Sequence, residues 1–340
     1  MAELAFETFR AALETTRGTA IGTPTHLLNF ESKLTPNVTR YRPTEQRGSL
    51  ALNYRSLDTQ KNSAWESKGD ADVRLLPFLL NMAVAPVSSG STPGTAVTAK
   101  LWTFVRNVLA DDIKSATVWW GDPALNQLTT DFVMLDELTI ENDASGDSAA
   151  TLEAKGMGGF PSKVAAPVAT TAVAGATLPG QLIQCWIDTS SAIGTTAVTG
   201  RVIKAKHTIR TGVAYKYVAT GPGTAAVPAS LDYTLVGREK IAACTTELKI
   251  ELIDFTQYDL WAAGTSLKVR VRHNGAFIET ASTIDYFNYL EVDTYGPAVA
   301  LDWDDNAGTN RALNLTIDAT YDATLASDLR VAVQNASATL

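Results

Sequence analysis

What most constrains this chain is a two-residue alternation of apolar and polar side chains that returns along most of its length. Leu138 and Ile140 alternate with polar neighbours in ELTIEND (137–143), and Leu50, Leu52 and Tyr54 alternate in the same way. Ile203, Ala205, His207 and Ile209 alternate with Lys204, Lys206, Thr208 and Arg210, and Leu248, Ile250 and Leu252 with Glu247, Lys249 and Glu251. Leu267, Val269 and Val271 alternate with Lys268, Arg270 and Arg272, and Leu313, Leu315 and Ile317 with Asn314, Thr316 and Asp318. A period of two puts one face of a strand in a core and the other in water, which predicts a mainly β, mostly antiparallel protein. Asn274-Gly275 reads as a hairpin turn. Helical spacing is confined to 2–16, to 70–83 with Pro77 in the first turn, and to 255–262, which Gly264 ends.

Composition narrows the function. The chain has 340 residues, 45% of them hydrophobic and 19% charged, enough apolar surface for a sizeable core. With 28 basic against 36 acidic residues the net charge is −8, which argues against a protein built to grip nucleic acid through its phosphates. His26, His207 and His273 lie far apart, without metal-ligand spacing, and His207 falls on the apolar phase of a strand, as a core histidine does. Gly156-Met157-Gly158-Gly159 reads as a strand end rather than a phosphate cradle, and Asp302–Asn306 as a turn rather than half a calcium loop. Trp119-Trp120 and Tyr286–Tyr289 read as packing rather than sugar platforms. No nucleophile comes with a locatable base, so the expectation is a non-enzyme with no catalytic, metal or cofactor residues. The start MAELAFETFRAALETTRG lacks the basic and apolar segments of a secretory signal, and no run approaches the ~20 apolar residues of a membrane span. The chain is expected to fold in the cytosol with Cys185 and Cys244 reduced.

ELTIEND and NLTIDAT (314–320) begin 177 residues apart, and the two later helices are separated by a similar interval, which suggests a duplication. The reading divides the chain into an N-terminal arm and helix (1–22), a first β unit (23–160), a linker (161–180) without charge beyond Lys163, and a second β unit (181–340). Charge is segregated. Nine acids (Asp111, Asp112, Asp122, Asp131, Asp136, Glu137, Glu141, Asp143, Asp147) face two bases between 101 and 150. Five bases (Arg201, Lys204, Lys206, Arg210, Lys216) and no acid lie between 189 and 231. Complementary surfaces on neighbouring copies of one chain are one reading, solvated faces the other.

An order of features carries a resemblance. GTAIGTPTHLLNFES leads into YRPTEQRGSLALNYRSLDTQKNSAWESKGD, then LLPFLLNM, a Ser/Thr/Gly/Pro loop at 86–99, the WTF segment at 102–104, LDELTIENDASGDSAATLEAKGMGG, and YDLWAAGTSLKVRVRHNG. In this order the chain resembles the major tail tube proteins of long-tailed, non-contractile bacteriophages. The resemblance implies two tandem β-sandwich or barrel units, each with a short flanking helix, in a structural virion protein. Its rings would stack into the hollow tail tube through which DNA reaches the host. A chain with two units implies a three-fold ring of pseudo-six-fold symmetry, with the hexamer as the alternative. It also implies assembly in the host cytoplasm, residence in the virion tail, and contacts with a tape measure protein, a tail terminator and distal tail or baseplate proteins. Genomic DNA would pass without specific binding, and no membrane is involved. Another tail or baseplate ring component, or a carbohydrate-binding β-sandwich, are the alternatives. A conduit should not hold DNA, so Asp131, Asp136, Glu137, Glu141, Glu247 and Glu251 are candidate lumen acids, while Arg201, Lys204, Lys206 and Arg210 form a candidate basic face toward another subunit. The 86–99 loop is expected to be mobile alone and to order against the adjacent ring.

Overall fold

The computed structural model describes residues 7–43, 56–122, 125–144, 146, 149–164, 175–189, 192–198, 200–217, 235–238, 241–304, 311–323, 326–338 and 340. In the first half these form β1 (Thr8–Leu13), β2 (His26–Leu28), β3 (Glu31–Tyr41), β4 (Leu57–Asp70), α1 (Leu76–Ala83), β5 (Lys100–Val105), β6 (Ala116–Asp122), β7 (Asn126–Asp143), β8 (Thr151–Gly158) and β9 (Ser162–Lys163). In the second they form β10 (Ile183–Asp188), β11 (Val202–Arg210), β12 (Val213–Lys216), β13 (Leu235–Arg238), β14 (Ala243–Glu251), α2 (Thr256–Ala262), β15 (Ser266–Ala281), β16 (Ile284–Asp304), β17 (Ala312–Asp318) and β18 (Leu329–Asn335). The protein is mainly β, and every strand pairing is antiparallel.

Eight strands make one long sheet in the order β3-β4-β8-β7-β11-β14-β17-β16. Two strands are long enough to leave it. The first part of β7 pairs with β6, and with β1 and β2 beyond it, as well as with β9. The first part of β16 pairs with β15 and β18, and through them with β10 and β5. Each bend is marked by a bulge, between Leu135 and Glu137 in β7 and between Ala298 and Ala300 in β16. The two smaller sheets cover the apolar side of the long one. Phe9, Leu34, Trp65, Val118 and Leu135 share one core cluster; Cys185, Leu248, Val269, Val271 and Leu315 share another.

The connectivity repeats. The set β3, β4, α1, β6, β7, β8 recurs as β11, β14, α2, β15, β16, β17, with the same neighbours in the long sheet. Glu66-x-Lys68-x-Asp70 on β4 corresponds to Glu247-x-Lys249-x-Glu251 on β14, Lys33 and Thr35 to Lys206 and Thr208, and the two bulges to each other. The similar words ELTIEND and NLTIDAT lie on β7 and β17, strands that are not equivalent, so the repeat is present but those words do not mark it. The halves also interlock: β5 pairs with β18, and Arg106 is bonded to Asp328 at 2.7 Å, both nearly buried.

Several expectations are corrected. Residues 8–13 are a strand rather than a helix: Phe9, Arg10, Ala11 and Ala12 are buried on both faces between β2 and β6, so neither alternation nor a wet side appears. Asn274-Gly275 is not the turn. The backbone runs on to Ala281, with a register shift after Asn274, and reverses at Ser282-Thr283, both at positive φ (49° and 71°). Gly275 serves packing instead, since a Cβ there would lie 3.1 Å from Leu178. Asp302–Asp304 is extended strand. The 86–99 segment is held by β15 and β16: Glu279 Oε1 accepts the backbone N–H groups of Val97, Thr98 and Ala99 at 2.7–2.9 Å. Within 161–180, β9 pairs with β7, and Thr177 and Pro179 bridge to Asp72 and Ala149; the remainder, 165–174, lies outside the described residues, as do Leu50, Leu52 and Tyr54. The 255–262 helix stands as Thr256–Ala262, ended by Gly264 at φ 63°, whereas the one read over 70–83 begins only at Leu76, because β4 runs on to Asp70 and a turn intervenes.

Candidate functional site

The long sheet has a polar face on which charges stand in rows across the strands. One row reads Lys33, Glu66, Lys155, Glu137, Arg210. The next reads Glu31, Lys68, Glu153, then Thr139, Thr208 and Thr245, then Asp318. Above it lie Asp70, Glu141, Lys206 and Glu247, and above those Asp143, Lys204, Lys249 and Asp302. Cross-strand neighbours of opposite sign sit in bonding range, Lys204 to Glu141 at 2.6 Å, Arg210 to Glu137 at 2.8 Å and Lys206 to Glu247 at 3.4 Å, and Lys249 reaches over β17 to Asp304 at 2.6 Å. Lys155 reaches both Glu153 (2.9 Å) and Glu137 (3.5 Å). The hydrogen bond from Arg210 holds the Glu137 carboxyl below its ordinary range, and that with Glu153 holds the Lys155 ammonium above its own. Carboxylates outnumber cations on this face, and Lys155, Lys204, Lys206, Arg210 and Lys249 are engaged with them.

The placement reshapes the sequence reading. Glu137, Glu141, Glu247 and Glu251 do share this face, but so do Lys204, Lys206 and Arg210, so the expected separation of an acidic from a basic surface is corrected to pairing on one surface. The cause is the antiparallel register, which sets β11 between β7 and β14. Arg201 stands at the end of the face, bonded to Asp254 at 3.4 Å and to the Glu251 carbonyl. Asp136 is the bulged residue of β7, and Asp131 lies on the part of β7 that has left the long sheet. The charges contributed by β3, β4 and β8 alternate in sign along the sequence and so form no run of one sign there. The Glu-x-Lys-x-acid pattern at 66–70 and 247–251 was the signal that could have found them.

Among the described residues the two ends of the long sheet are unpaired: β3 pairs only with β4, and the 298–304 part of β16 only with β17. Because eight strands alternate in direction, these two edges run opposite ways. Lys33 stands in the row of Arg210 while its equivalent Lys206 stands four residues along, so each four-strand set climbs by about one residue per strand. Beside the 298–304 edge Phe255, Tyr258, Trp261 and Trp303 form an aromatic cluster, with Phe255 59% and Trp303 40% exposed. Beside the β3 edge lies a groove of about 700 Å³ whose lining includes Phe9, Phe30, Lys33 and Trp120.

Two buried polar clusters lie inside. Asn142 Nδ2 donates to His273 Nδ1 (2.9 Å), His273 Nε2 to His207 Nε2 (3.3 Å), His207 Nδ1 to Thr246 Oγ1 (3.0 Å) and Thr246 to Thr294 (2.7 Å), a single chain that holds with both rings neutral. Burial lowers both histidines, His273 to about 4. On the second small sheet Arg270, Arg272 and Arg330 clasp Glu291 and Asp293, which are 3% and 0% exposed. Among the described residues no group of three or more His, Cys, Asp or Glu is placed to hold a metal, and no helix is long and apolar enough to cross a membrane. No family model matches the chain, and no curated protein matches its sequence.

Proposed function

We propose that this chain is a structural protein that assembles with copies of itself into rings, which stack into the hollow tail tube of a long-tailed bacteriophage. One observation carries the reading: an eight-stranded antiparallel sheet with a charge-rich polar face ends, among the described residues, in two unpaired edges that run in opposite directions. An exposed strand edge is a template for another chain, and edges of opposite direction let each copy continue the next copy's sheet in uniform antiparallel pairing. A climb of about one residue per strand equals the ratio of the closed eight-stranded (β/α)₈ barrel, whose strands tilt by about 36°. Three chains at that tilt would make a 24-stranded ring roughly 45 Å across its backbone. The charged face suits its inner wall: carboxylates are in excess there and hold most of its cations, so few are left to gather phosphates and passing DNA is not gripped.

Negative-stain images and light scattering of concentrated protein test this. Rings or tubes with a stain-filled centre are expected, with a ring mass near three chains; monomers at every concentration would contradict it.

A further inference from the structure

The in-chain repeat carries the reading one step further, to the joint between copies. Within the chain the two four-strand sets meet where β7 pairs with β11, in a defined register: Glu141 opposite Lys206, Thr139 opposite Thr208, Glu137 opposite Arg210. The equivalent of β7 is β16 and the equivalent of β11 is β3, and these are the two unpaired edges. Resting on the ring reading, we propose that the joint between neighbouring copies reproduces the joint inside the chain, with Asp304 of one copy opposite Lys33 of the next, Asp302 opposite Thr35, and Ala300 opposite Asn37.

Three independent features agree on this register. The Glu-x-Lys-x-acid pattern aligns β4 with β14, and the ladder then carries the alignment across the sheet until the β7 bulge falls on the β16 bulge. The charges agree as well: Asp304 meets Lys33, whereas a slip of two residues would set Asp304 against Glu31. On the apolar side the same register sets Trp303 opposite Leu34 and Leu301 opposite Pro36, in the phase of the in-chain pairs Ile140–His207 and Leu138–Ile209.

The helices supply a fourth argument. All eight residues of α1 are buried, and its cluster includes Trp102, Leu290 and Val331 from the sheet of the second repeat. Its equivalent α2 buries only Gln257 and leaves its aromatic neighbours Phe255 and Trp303 exposed. The proposed register brings Trp303 and Phe255 to the end of the next copy's β3, where the groove lined by Phe9, Phe30 and Trp120 opens. A second copy thus does for α2 what the second repeat does for α1.

Disulfide trapping in the full-length chain tests the register, since a disulfide needs Cβ atoms within about 4.5 Å. Ala300→Cys with Asn37→Cys, assembled and mildly oxidised, is expected to give covalent dimers and closed trimers on a non-reducing gel. Ala300→Cys with Thr35→Cys, slipped by two residues, is expected to give at least tenfold less. Cys185 and Cys244 are buried and do not compete. Rings that trap the slipped pair, or neither pair, would overturn this joint and leave the ring reading standing, whereas wild-type protein that never forms rings would overturn both. If the double variant fails to assemble while wild type does, amide exchange in wild-type rings decides: slowing of more than tenfold at 31–37 and 298–304 relative to the monomer supports the joint, and unchanged exchange there overturns it.

Discussion

His207 and His273 show how a residue pair sets the pH range of the fold. Each is 0% exposed and each is held neutral, His207 against Thr246 and His273 against Asn142. The unfolded chain binds protons at these positions near pH 6.5, whereas burial brings His273 down to about 4 in the folded chain and holds His207 well below its ordinary value. Between those values the unfolded state carries more protons, so the stabilisation is complete above about 6.5 and lost as the pH falls. For His273 alone the loss amounts to about 3 kcal/mol. His273→Gln should therefore be less stable than wild type by about 1–3 kcal/mol at pH 7, where it interrupts the chain of hydrogen bonds, and the gap should close on titration toward pH 4. A gap in denaturant midpoint that stays constant with pH would contradict the assignment. His207 was legible as a core residue from its phase in the strand, but its partner was not, because His273 lies 66 positions away on another sheet.

At the scale of elements, local rules were legible where one face of a strand is wet and failed where both are covered. The alternation on β7, β11, β14, β15 and β17 is the alternation of core and charged face. β1 shows none, because Phe9–Ala12 are enclosed, and its short apolar run passed for a helix. The β15–β16 turn was missed because its residues, Ser282 and Thr283, are not those that favour positive φ. Replacing them with Asn-Gly relieves left-handed strain, and a gain of about 1 kcal/mol is expected in urea unfolding; a loss would mean that their side chains matter more than their backbone. Gly296 marks the bend where β16 leaves one sheet for another, and a Cβ there would stand 2.1 Å from the Asp318 carbonyl oxygen. Gly296→Ala should therefore cost about 3 kcal/mol or more in thermal unfolding. The Glu279 anchor predicts that Glu279→Ala speeds amide exchange at Val97, Thr98 and Ala99 at least tenfold and leaves β7 unchanged.

At the scale of the whole molecule, the duplication was legible as a suspicion and its form was not. The shared words fell on non-equivalent strands, while the true repeat is carried by charge spacing and by topology, which only the pairings reveal. The halves are also less separate than a linker suggests. β5 completes the second small sheet, and β7–β11 joins the two sets of the long one. Residues 181–340 expressed alone lack both partners, and they are expected to show no cooperative thermal transition; a sharp one would contradict this interlocking. What the two edges of the long sheet meet decides between a ring and a single chain. Electron microscopy of concentrated full-length protein tests that most directly: rings or stacked tubes with the charged sheet on the inner wall are predicted, and particles that remain single chains, or rings with that sheet facing outward, would contradict it.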